Sequence, residues 1–391
     1  MSTLKVINLQ HPSSSNTMTF DANGNVTIAG TPINQYQGMK NRIINGDMRI
    51  DQRFAGTANT VTTSAYSLDR WATNATQSSK YSFQQNAGSI TPPVGFTNYL
   101  GITSLSSYSL SSTDWFTLQQ GVEGYNISDL SWGTSSARPV TLSFWVRSSL
   151  TGLFGGSLSN SDVSRSYAYT YTINTPNTWQ YVSMTIPGDT IGTWLTNNGV
   201  GIRVYISLGC GTSQSTTANV WSSGFYNAPA GNVSVVGTNG ATFYITGVQL
   251  EVGTTATAFE RRHFGTEMTL CQRYFSKSYD IGTIPGTATQ VGLQGGAFQG
   301  ASGLGGAYGA IQYPVAMRAA PSITLWDGAG SSNVLSYTYG AAGSAQSILN
   351  GGALWGAAGA FNIGTTSFFF RPTGAQASSL SYVHYTASSE L

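Results

Sequence analysis

The sequence predicts an all-β protein, and three observations carry that prediction. Short runs in which apolar and polar residues alternate recur along the chain, each bounded by Gly, Ser, Asn or Pro. The composition is polar without being charged: Asp, Glu, Lys and Arg make up 8% of residues, aromatics 12%, and glycine numbers 47. An average soluble protein carries about a quarter charged residues, and a disordered one is poor in aromatics, so a folded, turn-rich chain is expected. A single stretch, near residue 270, spaces its apolar residues as a helix does. With 391 residues the chain has room for two or three domains.

Residues 1–37 form a leader. Met18-Thr-Phe20 and Val26-Thr-Ile28 flank Asp21-Ala-Asn-Gly-Asn25, and Asn23-Gly24 between two alternating runs is a hairpin signal. The Asp-x-Asn-x-Asn spacing is also that of a calcium loop. Its glycine is misplaced, however, and Pro32 stands where the bidentate Glu belongs, so no metal is expected. One hairpin is marginal in water, so the leader has to pack on sister subunits or on a larger assembly.

The body spans 38–262. It opens with the most charged segment, Met39 to Arg53, in which Ile43, Ile44, Met48 and Ile50 give an apolar side and Asn45-Gly46 marks a turn. In Ser67-Leu-Asp-Arg-Trp71 the tryptophan is expected in the core, with Asp69 and Arg70 pairing locally or holding a loop. Strand candidates follow at Tyr81–Phe83, Phe116–Gln120, Val140–Arg147, Tyr167–Ile173, Trp179–Ile186, Gly201–Leu208 and Phe243–Val252. Within Val140–Arg147, Leu142, Phe144 and Val146 share one face, and Ser143, Trp145 and Arg147 the other. Tyr167, Tyr169, Tyr171 and Ile173 likewise fall on one face. In the last strand Phe243 and Ile245 give way, after Gly247, to Val248, Leu250 and Val252, the shift of face that a β-bulge produces. Many short strands with turns between them predict a β-sandwich. Val204 to Leu250 carries no charge, whereas Glu260, Arg261 and Arg262 stand together at the exit, so one unit closes here and another begins.

Residues 263–281 read as a helical linker, with Thr266 as the cap, Glu267 near the positive end, and Arg273 and Lys277 near the other. Its face of Met268, Cys271, Tyr274 and Phe275 must be buried against a neighbouring domain or a sister subunit. Residues 282–391 form a β-rich tip domain, with no charge from Ile281 to Met317 or from Gly328 to Phe370. Its strand candidates are Ile311–Val315, Ser322–Trp326, Val334–Tyr339, Thr366–Phe370 and Ser381–Thr386.

Two segments carry a resemblance. Gly38-Met-Lys-Asn-Arg-Ile-Ile-Asn-Gly-Asp-Met48 resembles the opening of a domain common in bacteriophage tail-fibre and other virion proteins. Ile245-Thr-Gly-Val-Gln-Leu-Glu-Val-Gly253 with Ala258-Phe-Glu-Arg-Arg262 resembles its end. Between them, Leu142-Ser-Phe-Trp-Val-Arg147 and Trp179-Gln-Tyr-Val-Ser183 resemble strands of jelly-roll carbohydrate-binding modules. The resemblance covers about residues 38–262 and implies a jelly-roll sandwich and a role in host adsorption; it supplies no sugar-contact motif to lay over the chain. Leu270-Cys-Gln-Arg-Tyr-Phe275 looks like the link into the tip domain of such phage proteins. Arg318-Ala-Ala-Pro-Ser-Ile-Thr-Leu325 and Tyr385 to Leu391 resemble fibre C-terminal domains, which in that family form the receptor-facing end. The resemblance further implies a homotrimer in the virion. It would sit on the phage tail rather than the head and attach to tail or other virion proteins through the leader. A bacterial surface glycan would be its receptor. A head fibre or capsid decoration protein, and a surface-polysaccharide depolymerase, are the alternatives.

Charge and motifs exclude several other functions. A net charge of +2 without a long basic run leaves no footprint for nucleic acid. No apolar run approaches membrane-spanning length, and Met1–Phe20 has no apolar secretion core, so synthesis in a host cytoplasm is expected. His11, His263 and His384 have no metal-ligand spacing, and Gly303 to Gly309 puts Tyr308 where a dinucleotide fingerprint needs its third glycine. Cys210 and Cys271 read as unpaired thiols of different domains. Asp162, Asp189 and Asp327 are available for paired-carboxylate hydrolysis but read as turn residues. No catalytic residue, metal or cofactor is therefore expected, and the function is binding.

Sugars stack on aromatic faces and hydrogen-bond to uncharged side chains. The candidates are Trp145 and Arg147, Trp221 and Tyr226 in a loop rich in Ser, Gly and Asn, and Trp326, Tyr337, Tyr339 and Trp355 in the tip. Each has a competing account as a core or subunit-interface residue. The charge-poor tip is the favoured recognition surface.

Overall fold

The computed structural model describes residues 39–298, 309–339, 347–352, 360–370 and 380–391, of which 296–298, 337–339, 347–352 and 380 as backbone, together with the backbone of four leader strands. Those strands, β1 (Asn8–Gln10), β2 (Thr17–Phe20), β3 (Val26–Ile28) and β4 (Thr31–Pro32), form one antiparallel sheet in that order. β2 and β3 are the expected hairpin, with Met18 opposite Ile28 and Phe20 opposite Val26. The turn between them lies outside the described residues.

The body is a jelly-roll sandwich. Its strands in chain order are β5 (Asn59–Thr60), β6 (Ala65–Tyr66), β7 (Ala72–Ala75), β8 (Tyr81–Gln85), β9 (Leu100–Ser104), β10 (Trp115–Glu123), β11 (Val140–Ser148), β12 (Gly152–Ser159), β13 (Arg165–Ile173), β14 (Gln180–Ile186), β15 (Val200–Cys210), β16 (Ser215–Thr216), β17 (Trp221–Ser223), β18 (Ala228–Pro229) and β19 (Thr242–Val252). One sheet runs β17-β13-β12-β15-β10-β7-β6 and the other β14-β11-β19-β9-β8-β5, while β16 and β18 make a small parallel pair. Alternation in each strand sends one set of side chains between the sheets. Leu142, Phe144 and Val146 of β11 meet Tyr167, Tyr169 and Tyr171 of β13 and Ile202, Val204 and Ile206 of β15 there, all buried. Each aliphatic or phenyl side chain so buried stabilises the fold by about 1.5–3 kcal/mol.

The bulge predicted at Gly247 is present. Ser143 faces Gln249 and Trp145 faces Thr246, so Phe144 opposes two residues of β19. Gly247 has φ +63°, a left-handed conformation that favours glycine. The extra residue returns Val248 and Leu250 to the core after Ile245.

The opening segment closes the sandwich instead of lying on it. Asn41 Oδ1 accepts from the backbone N–H of Leu250 and of Ile43, and its amide donates to Val248 O at 3.0 Å. At Gly46 an added Cβ would lie 2.2 Å from Val248 O, so the close approach of two backbones is what demands glycine there. Trp71 enters the core as expected, its indole N–H donating to Asn45 O at 3.0 Å. Of the two expectations for Asp69 and Arg70, local pairing is not met, whereas Asp69 does hold the opening segment in place. Asp69 accepts from the backbone and side-chain N–H groups of Gln52, whereas Arg70 reaches Glu390 and Gly121 O. Both are fully buried, and at that burial an unpaired charge is too costly, so each side chain turns to the partner that the other domain or the opening segment offers.

Helix α1 (Phe264–Gln272) follows, capped by His263, whose Nδ1 accepts from Gly265 N–H at 3.3 Å. The cap expected at Thr266 is displaced because the chain turns helical as soon as it leaves the Arg262 anchor. Met268, Cys271 and Tyr274 pack on Ile44 and Ile50, so the apolar face is covered by the jelly roll's own opening segment. β20 (Phe275–Lys277), within the stretch read as linker, is a strand of the C-terminal sheet. That six-stranded sheet also holds β21 (Gln294–Phe298), β23 (Ser322–Trp326), β24 (Leu335–Tyr339), β25 (Ser347–Gly352) and β28 (Leu380–Ser388), while β22 (Gly309–Gln312), β26 (Ala360–Phe361) and β27 (Ser367–Phe370) form a separate three-stranded sheet in the order β22-β27-β26. β28 is the hub, pairing with β20, β21, β23 and β24. Ile311, Leu325, Phe368, Phe370 and Val383 form this domain's own core. No helix among the described residues is long and apolar enough to cross a membrane.

Candidate functional site

The outer face of the six-stranded sheet carries a cleft. Register places Trp145 of β11 between Tyr181 of β14 and Thr246 of β19. The Trp145 and Tyr181 rings lie 5.4 Å apart, inclined at 54°. Gly247 forms the floor: a Cβ there would come 2.6 Å from Phe96 Cζ and 3.3 Å from Trp145 Cδ1. Thus the residue that makes the bulge also opens the space. Phe96 meets Phe259 edge-on at 5.2 Å, and the Arg261 guanidinium lies over both rings, at 4.6 and 5.7 Å. Ala256, Thr257 and Ala258 complete the wall around a volume of about 460 Å³.

That wall is held in place. Glu251, buried beneath it, accepts from Thr257 N–H at 2.9 Å and Thr257 Oγ1–H at 2.7 Å. Gln249 Oε1 accepts from Glu260 N–H at 2.8 Å, and Glu260 accepts from the backbone N–H groups of Lys40 and Asn41. A loop fixed by this many bonds loses little entropy when a ligand arrives. Inside the cleft the polar groups are free: the Trp145 indole N–H, the Tyr181 hydroxyl and the Ser143 hydroxyl have no hydrogen-bond partner among the described residues. Among the described residues no carboxylate lines it.

The other candidates sit elsewhere. Arg147, two residues along β11, lies over Tyr244 at 5.3 Å and donates from Nε to Asn177 O at 2.9 Å. It borders a tight group of Tyr99, Trp179 and Tyr244, in which the Trp179 N–H and the Tyr99 O–H are bonded to backbone carbonyls. Trp221 stands in a cluster with Trp132 and Trp194, each 5.5 Å away, and its N–H donates to Pro187 O. Tyr226 is half-buried, its ring against Gly224. Trp326 is half-buried against Tyr279 in the C-terminal domain. The side chains of Tyr337 and Tyr339, and all of Trp355, lie outside the described residues. The structure therefore brings Trp145 into the cleft, places Arg147 outside its lining on the same strand face, and sets Trp221, Tyr226 and Trp326 apart from it.

The carboxylates considered for hydrolysis are engaged locally. Asp189 forms a two-point pair with Arg165, at 2.7 and 2.8 Å. Asp327 accepts from Ala329 and Ser331 N–H within a turn, and the Ser164 hydroxyl holds the Asp162 carboxyl below its usual range. Cys210 and Cys271 are free thiols; burial pushes Cys210 up to about 12 and Cys271 well above the ordinary value. Among the described residues no group of three or more His, Cys, Asp or Glu is placed to hold a metal.

Phe96, Tyr181, Gly247, Phe259 and Arg261 were not singled out as site residues by sequence reasoning. Tyr181 had a usable signal, since it alternates with core residues in its strand as Trp145 does. Phe96 and Phe259 had none, because each reaches the cleft from a loop.

No family model matches the chain, and none of the curated proteins compared with it matches. Solved structures similar to it include the enzymatically active domain of tailspike protein 4 of bacteriophage CBA120, at 11% identity and a TM-score of 0.31, over 55% of this chain and 21% of that one. Another is the CBM22-2 xylan-binding domain from Paenibacillus barcinonensis Xyn10C, at 18% identity and a TM-score of 0.28, over 47% of this chain and 92% of that one. A third is a family 11 carbohydrate-binding module from Clostridium thermocellum in complex with a mixed-linked tetrasaccharide, at 8% identity and a TM-score of 0.26, over 51% and 98%. The chain thus spans about a fifth of the tailspike chain that it matches.

Proposed function

We propose that this is a bacteriophage receptor-binding protein of the tail-fibre type, which adsorbs the virion to a host-surface glycan held, without chemistry, in the cleft at Trp145. The observation that carries the reading is the open aromatic cleft. An indole N–H and a tyrosine hydroxyl, neither with a partner among the described residues, stand side by side over a glycine floor, inside a fixed wall. Such a surface offers a sugar both a ring to stack on and donors for its hydroxyls. Binding without hydrolysis is supported by the lining, since glycoside cleavage ordinarily uses two facing carboxylates and the cleft has none. The phage assignment rests on the resemblance of residues 38–262, and a homotrimer attached through the leader follows from it.

The test is adsorption. Trp145→Ala is expected to weaken binding of the full chain to host cells at least about tenfold, the worth of roughly 1.4 kcal/mol of stacking. Its melting temperature should stay near that of the parent, since the ring is half-exposed. Unchanged adsorption by a folded variant rejects the cleft. Labelling intact virions with antibody to this chain addresses its location: signal on the head alone rejects the tail. Sedimentation at 41.3 kDa, the monomer mass, would reject the trimer.

A further inference from the structure

Arginines stacked on aromatic rings recur in this protein, and they fall into two groups. Arg53 lies over Phe275 at 3.8 Å, Arg70 over Tyr274 at 3.5 Å and Arg165 near Trp221 at 6.0 Å. Each gives its N–H edge to a carboxylate: Glu390 for the first two, Asp189 for the third. The ring occupies the face of the guanidinium and the carboxylate takes the edge, as the planar fork of five donors allows. Arg261 has the first half of this arrangement, stacked over Phe96 and Phe259. It lacks the second: it is exposed at the cleft and has no hydrogen bond or ion pair among the described residues. Its neighbour Glu260 is spent on Arg262 and on the backbone of Lys40 and Asn41. Glu251 is buried with both oxygens bonded to Thr257. Arg147, beyond Trp145 on the same face, is likewise stacked and has no carboxylate.

We propose that the cleft selects an acidic glycan, one whose sugar carries a carboxylate of the uronic-acid kind. The carboxylate completes Arg261, while the sugar ring lies against Trp145. Phe96 links the two, since it touches the Gly247 floor beside Trp145 and carries the guanidinium on its own ring. This inference rests on the glycan-binding reading above and specifies its ligand. A neutral sugar satisfies Trp145 and leaves Arg261 bare. An acidic one gains a charge-assisted, two-point hydrogen bond at a group that is already oriented.

The experiment uses the full chain and matched probes: oligogalacturonate against oligogalactose, glucuronate-containing against glucose-containing oligomers, and mannuronate against mannose oligomers. The expected result is that at least one acidic member binds about tenfold or more tighter than its neutral counterpart, a preference that shrinks between about 0.05 M and about 0.5 M salt. Arg261→Gln should reduce that preference to about twofold or less by weakening acidic binding more than neutral binding, which also draws on the Trp145 platform. Trp145→Ala should lower binding of both members. Equal binding within every pair, or an acidic preference that survives Arg261→Gln, overturns the proposal and leaves the glycan reading standing. Failure of every probe of either kind to bind the parent chain rejects the glycan reading and the proposal together.

Discussion

The cleft at Trp145 and the junction between the jelly roll and the C-terminal domain are built from the same parts and end in opposite states. At the junction Arg70 stacks on Tyr274 and Arg53 on Phe275, both of them rings of the segment just after helix α1. Glu390, near the end of the C-terminal domain, accepts from both guanidinium groups, and Tyr274 O–H donates to Glu123 of the jelly roll at 2.6 Å. Every component has a partner inside the chain, and Arg70 is only 1% exposed. In the cleft the stacked arginine faces solvent, and the neighbouring indole N–H and tyrosine hydroxyl have no partner among the described residues. The difference teaches that a ring-stacked arginine is buried between two domains when the chain supplies the carboxylate, and stays exposed when it does not.

The largest expected effect breaks the closed half of this pair. Glu390→Gln leaves Arg70 buried without a counter-charge, and the fold should lose about 3 kcal/mol, read as a fall in thermal stability. A loss below about 1 kcal/mol would mean that the junction is not closed in the sense argued. Arg261 sits at the other end of the scale. Removing an exposed, unpaired side chain should change stability by no more than about 0.5 kcal/mol, so Arg261→Gln and the parent should melt together.

Between them lies a pH dependence at the junction. Burial pushes the Asp69 carboxyl up to about 6, outweighing the attraction of Arg53 at 3.9 Å and the Gln52 hydrogen bonds. Its folded value is raised above the unfolded one, so its contribution to stability is fully present below about 3.8 and is lost as pH rises through about 6. The size is on the order of 2 kcal/mol. His384 runs the other way. Burial lowers it from 6.5, and its contribution, present above 6.5, is lost as pH falls through the depressed value. The quantity to measure is therefore the difference in melting temperature between the parent and Asp69→Asn across pH 4–7. The parent should gain on the variant as pH falls, and a constant difference would remove Asp69 from the account.

Much of the framework was legible in the chain. Alternation identified the strands, the three-residue phase change around Gly247 identified the bulge, and the face shared by Met268, Cys271 and Tyr274 identified a buried helix side. Trp145 was recognisable as an outward aromatic because its neighbours Phe144 and Val146 had to point inward. The rest of the site was not legible, for a stated reason. Phe96, Tyr181 and the Phe259–Arg261 stretch come from three separate segments, and only strand register and two loop paths bring them to one place. Glu260, Arg261 and Arg262 looked like one charged cluster, but the fold separates them: Glu260 and Arg262 bind the opening segment, while Arg261 turns outward onto two phenyl rings. The preference for the tip as the recognition surface rested on its lack of charge; the aromatic cleft lies on the jelly roll, while the tip candidates Trp355 and the side chains of Tyr337 and Tyr339 lie outside the described residues.

By itself, the sequence determined the all-β class, the two faces of each long strand and the bulge. These are properties of residues next to one another, where period-two alternation and backbone conformation act within a few positions. Only the tertiary structure decided which arginines are paired. A carboxylate 337 positions away from Arg53 closes one stacked pair, while the carboxylates closest to Arg261 in sequence are drawn elsewhere. Hydrogen bonds and ion pairs act over a few ångströms whatever the separation along the chain, so whether a charge meets a partner or faces solvent is settled when the sheets come together.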